Sequence, residues 1–560
     1  MGRRIGIGHQ DFGQLIAKNN FYIDKTMFLK EWWENDDVVT LITRPRRFGK
    51  TLTMSMVERF FSVAYAGDVS PFQDLSIWKE AAFRKLQGTY PVIFFSFAEV
   101  KETSFEDTRK KIGQIVSNLY EKHRYLLQGN LLSGKDKEYF ESVGPDMEEY
   151  AISLSIKMLA GFLYRYFGRK VIILLDEYDT PMQEAYVYGY WDRLAEFMRS
   201  LFNSTFKTNE YLERAIMTGI TRVSKESVFS DLNNPEVVTT TSLKYEDSFG
   251  FTREEVRMAL AEYGLSEQEE QVREWYDGFV FGRKSGIYNP WSIINFLEKQ
   301  IYSTYWANTS SNNLVSKLIK KGSPGVKMVM EELLSGKVLH TQMDEQIVFS
   351  QLDHSETAIW SLLLAIGYLK VKKFEVNMKT GRPEYELTLT NREVCIMFRQ
   401  LIHSWFADST PAYNDFVKAL LAGDRKAMNT YMNRVALVTF SSFDAGTKPS
   451  EAEPERFYHG FVLGLMVELA DRYVITSNRE SGFGRYDVML EPRDERADAI
   501  VMEFKVHDAE EEKDLKDTAQ MALKQIEEKK YEALLVEKGI PAERIRKYGF
   551  AFEGKKVLIL

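Results

Sequence analysis

One cysteine, Cys395, stands in 560 residues, so the chain can form no intramolecular disulfide and no zinc site built from several thiolates. That usage suits a reducing compartment, and the lone thiol is expected in a core. Long apolar runs are also missing. The nearest, residues 461–470, is short and contains Glu468, too little to cross a bilayer. The opening Met1-Gly-Arg-Arg-Ile-Gly-Ile-Gly8 carries charge but no apolar stretch after it, and Gly6 stands where a myristoylation signal has Ser or Thr. Neither a secretory leader nor a lipid anchor is expected, and the protein is placed in the cytoplasm. Excess positive charge is absent as well: 73 Lys and Arg against 81 Asp and Glu leave a net charge of −8. A generally basic coat for nucleic acid is thereby excluded, and any contact with phosphate must be local.

What remains is ordinary globular material, 44% hydrophobic and 28% charged, with no low-complexity tract or fixed repeat. Because a single core stops growing well short of 560 residues, three or four domains are expected. Shifts of pattern divide the chain at 1–240, 241–345, 346–445 and 446–560. In the first part, apolar runs at 38–43, 90–96, 170–175 and 214–218 alternate with helical patterns. They predict an α/β domain whose mostly parallel sheet is buried on both faces. From about Phe249 the pattern turns helical and charged, interrupted by Trp275-Tyr-Asp-Gly-Phe-Val-Phe281 and Tyr288-Asn-Pro-Trp291, which predicts a helical lid or spacer. A helix over 359–366, strands over 368–375 and 385–389 and a helix from Glu393 outline a winged-helix-like module. The Gly-, Pro- and acid-rich stretch 443–454 reads as a linker to the last domain.

The strand ending at Thr43 runs into Arg44-Pro-Arg-Arg-Phe-Gly-Lys-Thr51 and then a helix, the order of a phosphate-binding loop. Residues Arg46, Arg47, Phe48, Gly49, Lys50, Thr51 and Leu52 are its candidate nucleotide contacts. Backbone amides would cradle the β-phosphate, Lys50 would reach between the β- and γ-phosphates, and the Thr51 hydroxyl would ligate magnesium. Arg44 replaces the usual first glycine and Pro45 removes an amide donor, so binding is expected more firmly than turnover. Gly-Lys-Thr opening a helix can also be a plain anion-friendly cap. A second element favours the nucleotide site: Val171-Ile-Ile-Leu-Leu-Asp-Glu-Tyr-Asp179 is an apolar strand ending in carboxylates. Asp176 would hold magnesium through water and Glu177 would polarise the attacking water. At a third strand end, Thr218 is a candidate γ-phosphate sensor and Arg222 a charge stabiliser.

Near the C-terminus, Gly484-Arg-Tyr-Asp-Val-Met-Leu490 is followed after a charged turn by Ala499-Ile-Val-Met-Glu-Phe-Lys-Val506. Glu503 and Lys505, two apart on a strand, share a face. Asp487 and Glu503 can jointly hold a hard divalent cation, and Lys505 can orient or activate a water that attacks a phosphodiester. Charge alternating with apolar residues is also what any half-exposed strand shows. The flanking elements favour a site: Glu455 upstream could add an acid to the metal. His459 and His507 flank the pair, but a lone histidine is more often a hydrogen-bonded surface residue than a ligand.

Taken with Phe21-Tyr-Ile-Asp-Lys-Thr26, Thr218-Gly-Ile-Thr-Arg222, Phe229-Ser-Asp-Leu-Asn-Asn234, Trp275-Tyr-Asp-Gly278 and Tyr288-Asn-Pro290, these motifs resemble a bacterial family over nearly the whole chain. It is the AAA-ATPase-like proteins whose C-terminal part belongs to the PD-(D/E)xK nuclease superfamily. The Arg44-Pro45 form of the loop is similar to that family's own, whereas Tyr486 replaces the eponymous proline. The resemblance implies an AAA-like P-loop ATPase domain, a helical and winged-helix-like middle and a restriction-endonuclease-like α/β domain. It further implies ATP and Mg2+ as cofactors, hydrolase activity, a nucleic-acid partner with DNA ahead of RNA, and Gln525 supplied from a downstream helix toward the nucleic-acid backbone. A nucleotide-dependent binding switch, or a scaffold with little or no nuclease activity, is the alternative, and homo-oligomerisation is left open.

Overall fold

The computed structural model describes residues 2–222, 235–307, 313–343, 352, 355–379, 381–404, 410–443, 464, 469–482, 484–494, 496–508, 512–553 and 556–560. The chain divides into two compact units, Met1–Ser311 with His340–Val394 and Asn312–Leu339 with Cys395–Leu560.

Continuous apolar runs build the central sheet of the first unit. The four expected strands are β1 (Val39–Thr43), β2 (Val92–Ser96), β3 (Val171–Asp176) and β4 (Leu212–Gly219). A short fifth, β5 (Pro235–Val238), completes the order β2-β3-β4-β1-β5. Every pairing is parallel, as strands without polar alternation require when both faces are covered. Proline opens β5 without loss because that strand lies at an edge. The helix Lys50–Phe61 follows β1 and buries Met54, Val57, Phe60 and Phe61 in one cluster with Trp32, Ile42 and Ile172. Thr43 of β1 pairs with Gly219 of β4, and Ser96 of β2 with Asp176 of β3. The carboxyl ends of the strands therefore meet at one edge, where open α/β sheets bind ligands.

The stretch after the sheet is more than helical. Helices Arg253–Glu262, Glu269–Tyr276 and Pro290–Lys299 surround a small antiparallel sheet of β6 (Phe251–Thr252), β7 (Asp277–Phe281) and β8 (Lys284–Tyr288), ordered β6-β8-β7. The aromatic turn is thus mostly a strand, with Phe279 and Phe281 both buried. Its period of two is short and broken by Gly278, which hides it in the sequence.

The helix–hairpin–helix outline follows as helix Glu356–Ala365, β10 (Leu369–Val376), β11 (Pro383–Leu389) and helix Arg392–Ser404. A third strand, β9 (Leu339–Thr341), lies beside β11. Cys395 is half-buried rather than enclosed in a core. Val394, Met397 and Phe398 form the buried stripe of its helix, and Cys395 lies one helical step off it.

In the second unit β12 (Tyr473–Ser481), β13 (Gly484–Pro492), β14 (Ala499–Val506), β15 (Ile545–Glu553) and β16 (Lys556–Ile559) form one sheet in that order. Only β14 and β15 run parallel, and the helix Leu515–Glu528 that joins them packs on both. The open edge of β16 is covered by helix Arg425–Phe443. Asn429 exchanges hydrogen bonds with the Ile559 backbone at 2.9 and 2.8 Å, and Asn433 with Val557 at 2.7 and 2.9 Å, satisfying a ladder that an edge leaves free. The expected linker lies, beyond Phe443, outside the described residues. No described helix is long and apolar enough to cross a membrane.

Candidate functional site

Between β1 and its helix, Gly49 adopts φ 83° with open space where a Cβ would stand, so backbone conformation calls for glycine there. Arg47 is also left-handed, at φ 65°, a conformation that concentrates at ligand loops. The Lys50 ammonium is buried and donates to the carbonyls of Arg44 at 2.9 Å and Pro45 at 3.0 Å. Burial holds its pKa below the usual lysine value. A cavity of about 470 Å³ opens beside the loop, lined by every residue from Arg46 to Thr53 and by Glu177. Sequence reasoning missed the other walls, among them Ile7, His9, Ile23, Trp291 and Ile294. They come from three separate segments, and only Ile23 and Trp291 fall in motifs noted above, neither of which reads as part of this cavity.

Asp176 accepts hydrogen bonds from the Thr51 hydroxyl at 2.7 Å and from the Thr218 hydroxyl. Burial pushes its carboxyl up while the two hydroxyls hold it down. Glu177, left-handed at φ 51°, reaches the cavity and accepts from Thr180 at 3.2 Å. Asp179, expected only as part of the acidic strand end, is fully buried. It accepts from the Ile220 and Thr221 amides and the Thr221 hydroxyl at 3.1, 2.8 and 2.7 Å, tying the exit of β4 to the end of β3. Arg222 lines a different, small pocket with Thr43, Thr239 and Ser361, so the structure does not bring it to the phosphate-loop cavity.

The unusual residues of the loop are anchored. Arg44 is fully buried, donates to the carbonyls of Thr239 at 2.6 Å and Tyr245 at 3.3 Å, and lies 4.5 Å from the Phe281 ring centre. Burial lowers its pKa to about 9. Arg47 lies 4.3 Å over Trp291. Asn289 caps the helix Pro290–Lys299 and donates to the Arg46 carbonyl at 3.1 Å. Phe48 meets Phe279 and Phe281 edge-on at 4.7 and 5.3 Å.

In the second unit, the pairing of Val488 with Met502 puts Asp487 across from Glu503 one step further along β13 and β14. The Asp487 amide donates to Glu503 Oε2 at 3.3 Å, and the Phe504 amide donates to Asp487 Oδ2 at 2.8 Å. The carboxylates therefore converge. Burial, and then the neighbouring Asp487, push the Glu503 carboxyl up to about 8. Gln525 of the helix Leu515–Glu528 donates to Glu503 Oε1 and, at 3.1 Å, to the Tyr531 hydroxyl. Lys505 lies two residues beyond Glu503 and is partly exposed. His507 contacts Thr518 at 3.0 Å and Glu512 at 3.4 Å, a hydrogen-bonded histidine rather than a ligand of the pair. Glu455 and His459 lie outside the described residues, as does the segment 229–234.

Residues 6–229 match the family model described as predicted AAA-ATPase, and residues 453–560 match that of the PD-(D/E)XK nuclease superfamily. The chain joins an AAA-ATPase-like domain to a PD-(D/E)XK nuclease-superfamily domain. It is also similar to a protein of Azotobacter chroococcum mcd 1 described as the uncharacterized protein in the vnfD 5' region. Identity is 23% over 394 residues, 70% of this chain and 68% of that protein. That span is longer than the AAA-ATPase-like match, so the likeness reaches beyond the first domain.

Both domains offer oxygen donors suited to a hard divalent cation. In the AAA-ATPase-like domain these are the Thr51 hydroxyl and Asp176, already in contact. In the nuclease-superfamily domain they are Asp487 and Glu503, whose mutual repulsion a cation would relieve. Among the described residues no group of three or more His, Cys, Asp or Glu side chains forms a metal cluster. Among the described residues the second site offers two carboxylates, Asp487 and Glu503.

Proposed function

We propose that the chain binds ATP with magnesium in the first unit and cleaves nucleic-acid phosphodiesters in the second, the nucleotide state governing access to cleavage. The observation that carries the first half is the contact of Thr51 with Asp176 at 2.7 Å beside a buried Lys50 and an open cavity. In this reading amides at the start of the helix hold the β-phosphate, and Lys50 exchanges its two carbonyl partners for phosphate oxygens. Thr51 and Asp176 hold the cation, Glu177 orients the attacking water, and Thr218 links γ-phosphate occupancy to Asp176. Arg222 has no role here because it lines another pocket. Asp487 and Glu503 hold the second cation, Gln525 fixes Glu503, and Lys505 orients or deprotonates the water that attacks phosphorus. Bound magnesium supplies neutralisation of phosphate charge and a more acidic water. A cytoplasmic location and a nucleic-acid partner, DNA ahead of RNA, belong to this reading.

A switch that binds ATP with little turnover is the second reading, favoured by the buried Arg44 in the place of the first glycine. Phosphate release by wild type and Glu177→Gln separates the two. Turnover that falls in the variant supports hydrolysis; tight binding with equal, negligible turnover in both supports the switch.

A further inference from the structure

Strand β7 separates two environments within the first unit. Phe279 and Phe281 face Phe48 of the phosphate loop. The alternate residues Gly278 and Val280 line an open groove of about 540 Å³, whose charged walls are Arg253, Arg273, Lys370, Lys372, Glu274 and Asp277.

The two acids do not cancel the four cations. Glu274 is already engaged by Arg392 at 2.5 Å, and Asp277 interacts with Lys370 and Arg253, burial acting against the charge of both Asp277 and Lys370, so two acids face four cations. Arg273 meets Glu270 at 2.8 Å across one helical turn, an exposed pair that holds its charge only weakly. Arg253 and Lys372 are exposed. Lys370 is half-buried, its ammonium 3.1 Å from where a Cβ on Gly278 would stand. A Cβ there would first meet the Thr390 carbonyl oxygen, at 2.0 Å, so glycine lets β7 approach that backbone and leaves the Lys370 ammonium beside it.

On a chain of net charge −8, cations gathered in one groove are a local feature, not part of a general coat. The exposed hydroxyl of Ser285 stands among them, whereas that of Thr390 is buried and donates to the Gly367 carbonyl at 2.7 Å. Cations on several walls of an open groove, with the Ser285 hydroxyl, suit successive phosphates, which are contacted without a deep pocket. The nuclease-superfamily domain of the same chain favours a nucleic-acid strand over an acidic peptide as the anion held here.

We propose that the groove holds the sugar–phosphate backbone of a nucleic-acid strand, with Arg253, Lys370 and Lys372 each neutralising a phosphate. The kind of partner rests on the nuclease reading; the groove itself does not. A strand seated there lies against the reverse side of the element that grips the phosphate loop.

Fluorescence anisotropy with short labelled DNA and RNA strands, titrated with the full chain in EDTA over a range of monovalent salt, reads binding without cleavage. Arg253→Glu combined with Lys372→Glu alters two exposed side chains, and an unchanged melting temperature verifies the fold. The expected result is a loss of affinity of about tenfold or more and a slope of log affinity against log salt smaller by about 2. Unchanged affinity and slope in the variant overturn the proposal. Tighter binding of a poly-glutamate peptide than of either strand also overturns it, assigning the groove to an acidic protein. Because EDTA silences cleavage, an inactive nuclease site leaves these outcomes readable.

Discussion

Thr51 and Asp176 meet hydroxyl to carboxylate at 2.7 Å, one from the first turn of a helix and the other from the end of β3. Residues 125 positions apart in sequence are thus held where a nucleotide-bound cation would need both.

A ligand specific to the folded state stabilises it, by about 2.7 kcal/mol at a hundredfold excess over Kd. ATP with magnesium is expected to raise the melting temperature of wild type and to leave that of Lys50→Ala unmoved. An equal shift in both proteins would place the nucleotide somewhere other than beside Lys50.

Asn289 is buried and supplies a donor to the Arg46 carbonyl. Asn289→Ala leaves that carbonyl without it, at about 1–3 kcal/mol. Nucleotide affinity, measured with a fluorescent analogue, is expected to fall together with the denaturation midpoint. Wild-type affinity in the variant would show that the loop shapes itself without this contact.

Arg44→Gly restores the residue usual at that place in a phosphate loop. Here it removes a buried guanidinium from two distant carbonyls and from the Phe281 ring. A destabilisation of about 3 kcal/mol or more is expected in urea unfolding. A variant as stable as wild type would mean that Arg44 is incidental to the fold.

Strands β1 to β4 and the placement of Glu503 and Lys505 at alternate positions of β14 could be read from the sequence because continuous apolar runs and a period of two are local signals. The grip on the loop could not. Phe48 and Phe279 lie 231 positions apart, since 279 − 48 = 231, yet meet at 4.7 Å, and no spacing announces such a contact. Arg44 was legible only as a departure from a motif, because an arginine is expected at the surface unless partners for burial are known. The grouping of Asn312–Leu339 with the C-terminal unit was equally hidden. An amphipathic pattern says that a face is covered, not by what.

Burial raises the Glu331 carboxyl to about 7, against Ser477 as hydrogen-bond donor, and leaves Oε1 with no partner among the described residues. A carboxyl whose folded pKa lies above its unfolded value near 4.5 contributes stability in full below about pH 4.5, and loses it as pH rises through about 7. The loss amounts to roughly 3 kcal/mol at most. Urea midpoints of wild type at mildly acidic and alkaline pH should differ by more than those of Glu331→Gln. Identical pH dependence in the two proteins would show that Glu331 is not the titrating group. Glu393 in the first unit, also raised to about 7 by burial, adds a change of the same sign.

Cleavage of supercoiled, linear and single-stranded nucleic acid, with and without ATP, magnesium and manganese, tests most directly whether the convergent acids of the second unit are a nuclease centre. Wild type is expected to cleave with a divalent cation, and Lys505→Ala and Glu503→Gln to lose cleavage while retaining the wild-type melting profile. Equal cleavage by wild type and Lys505→Ala would contradict that assignment.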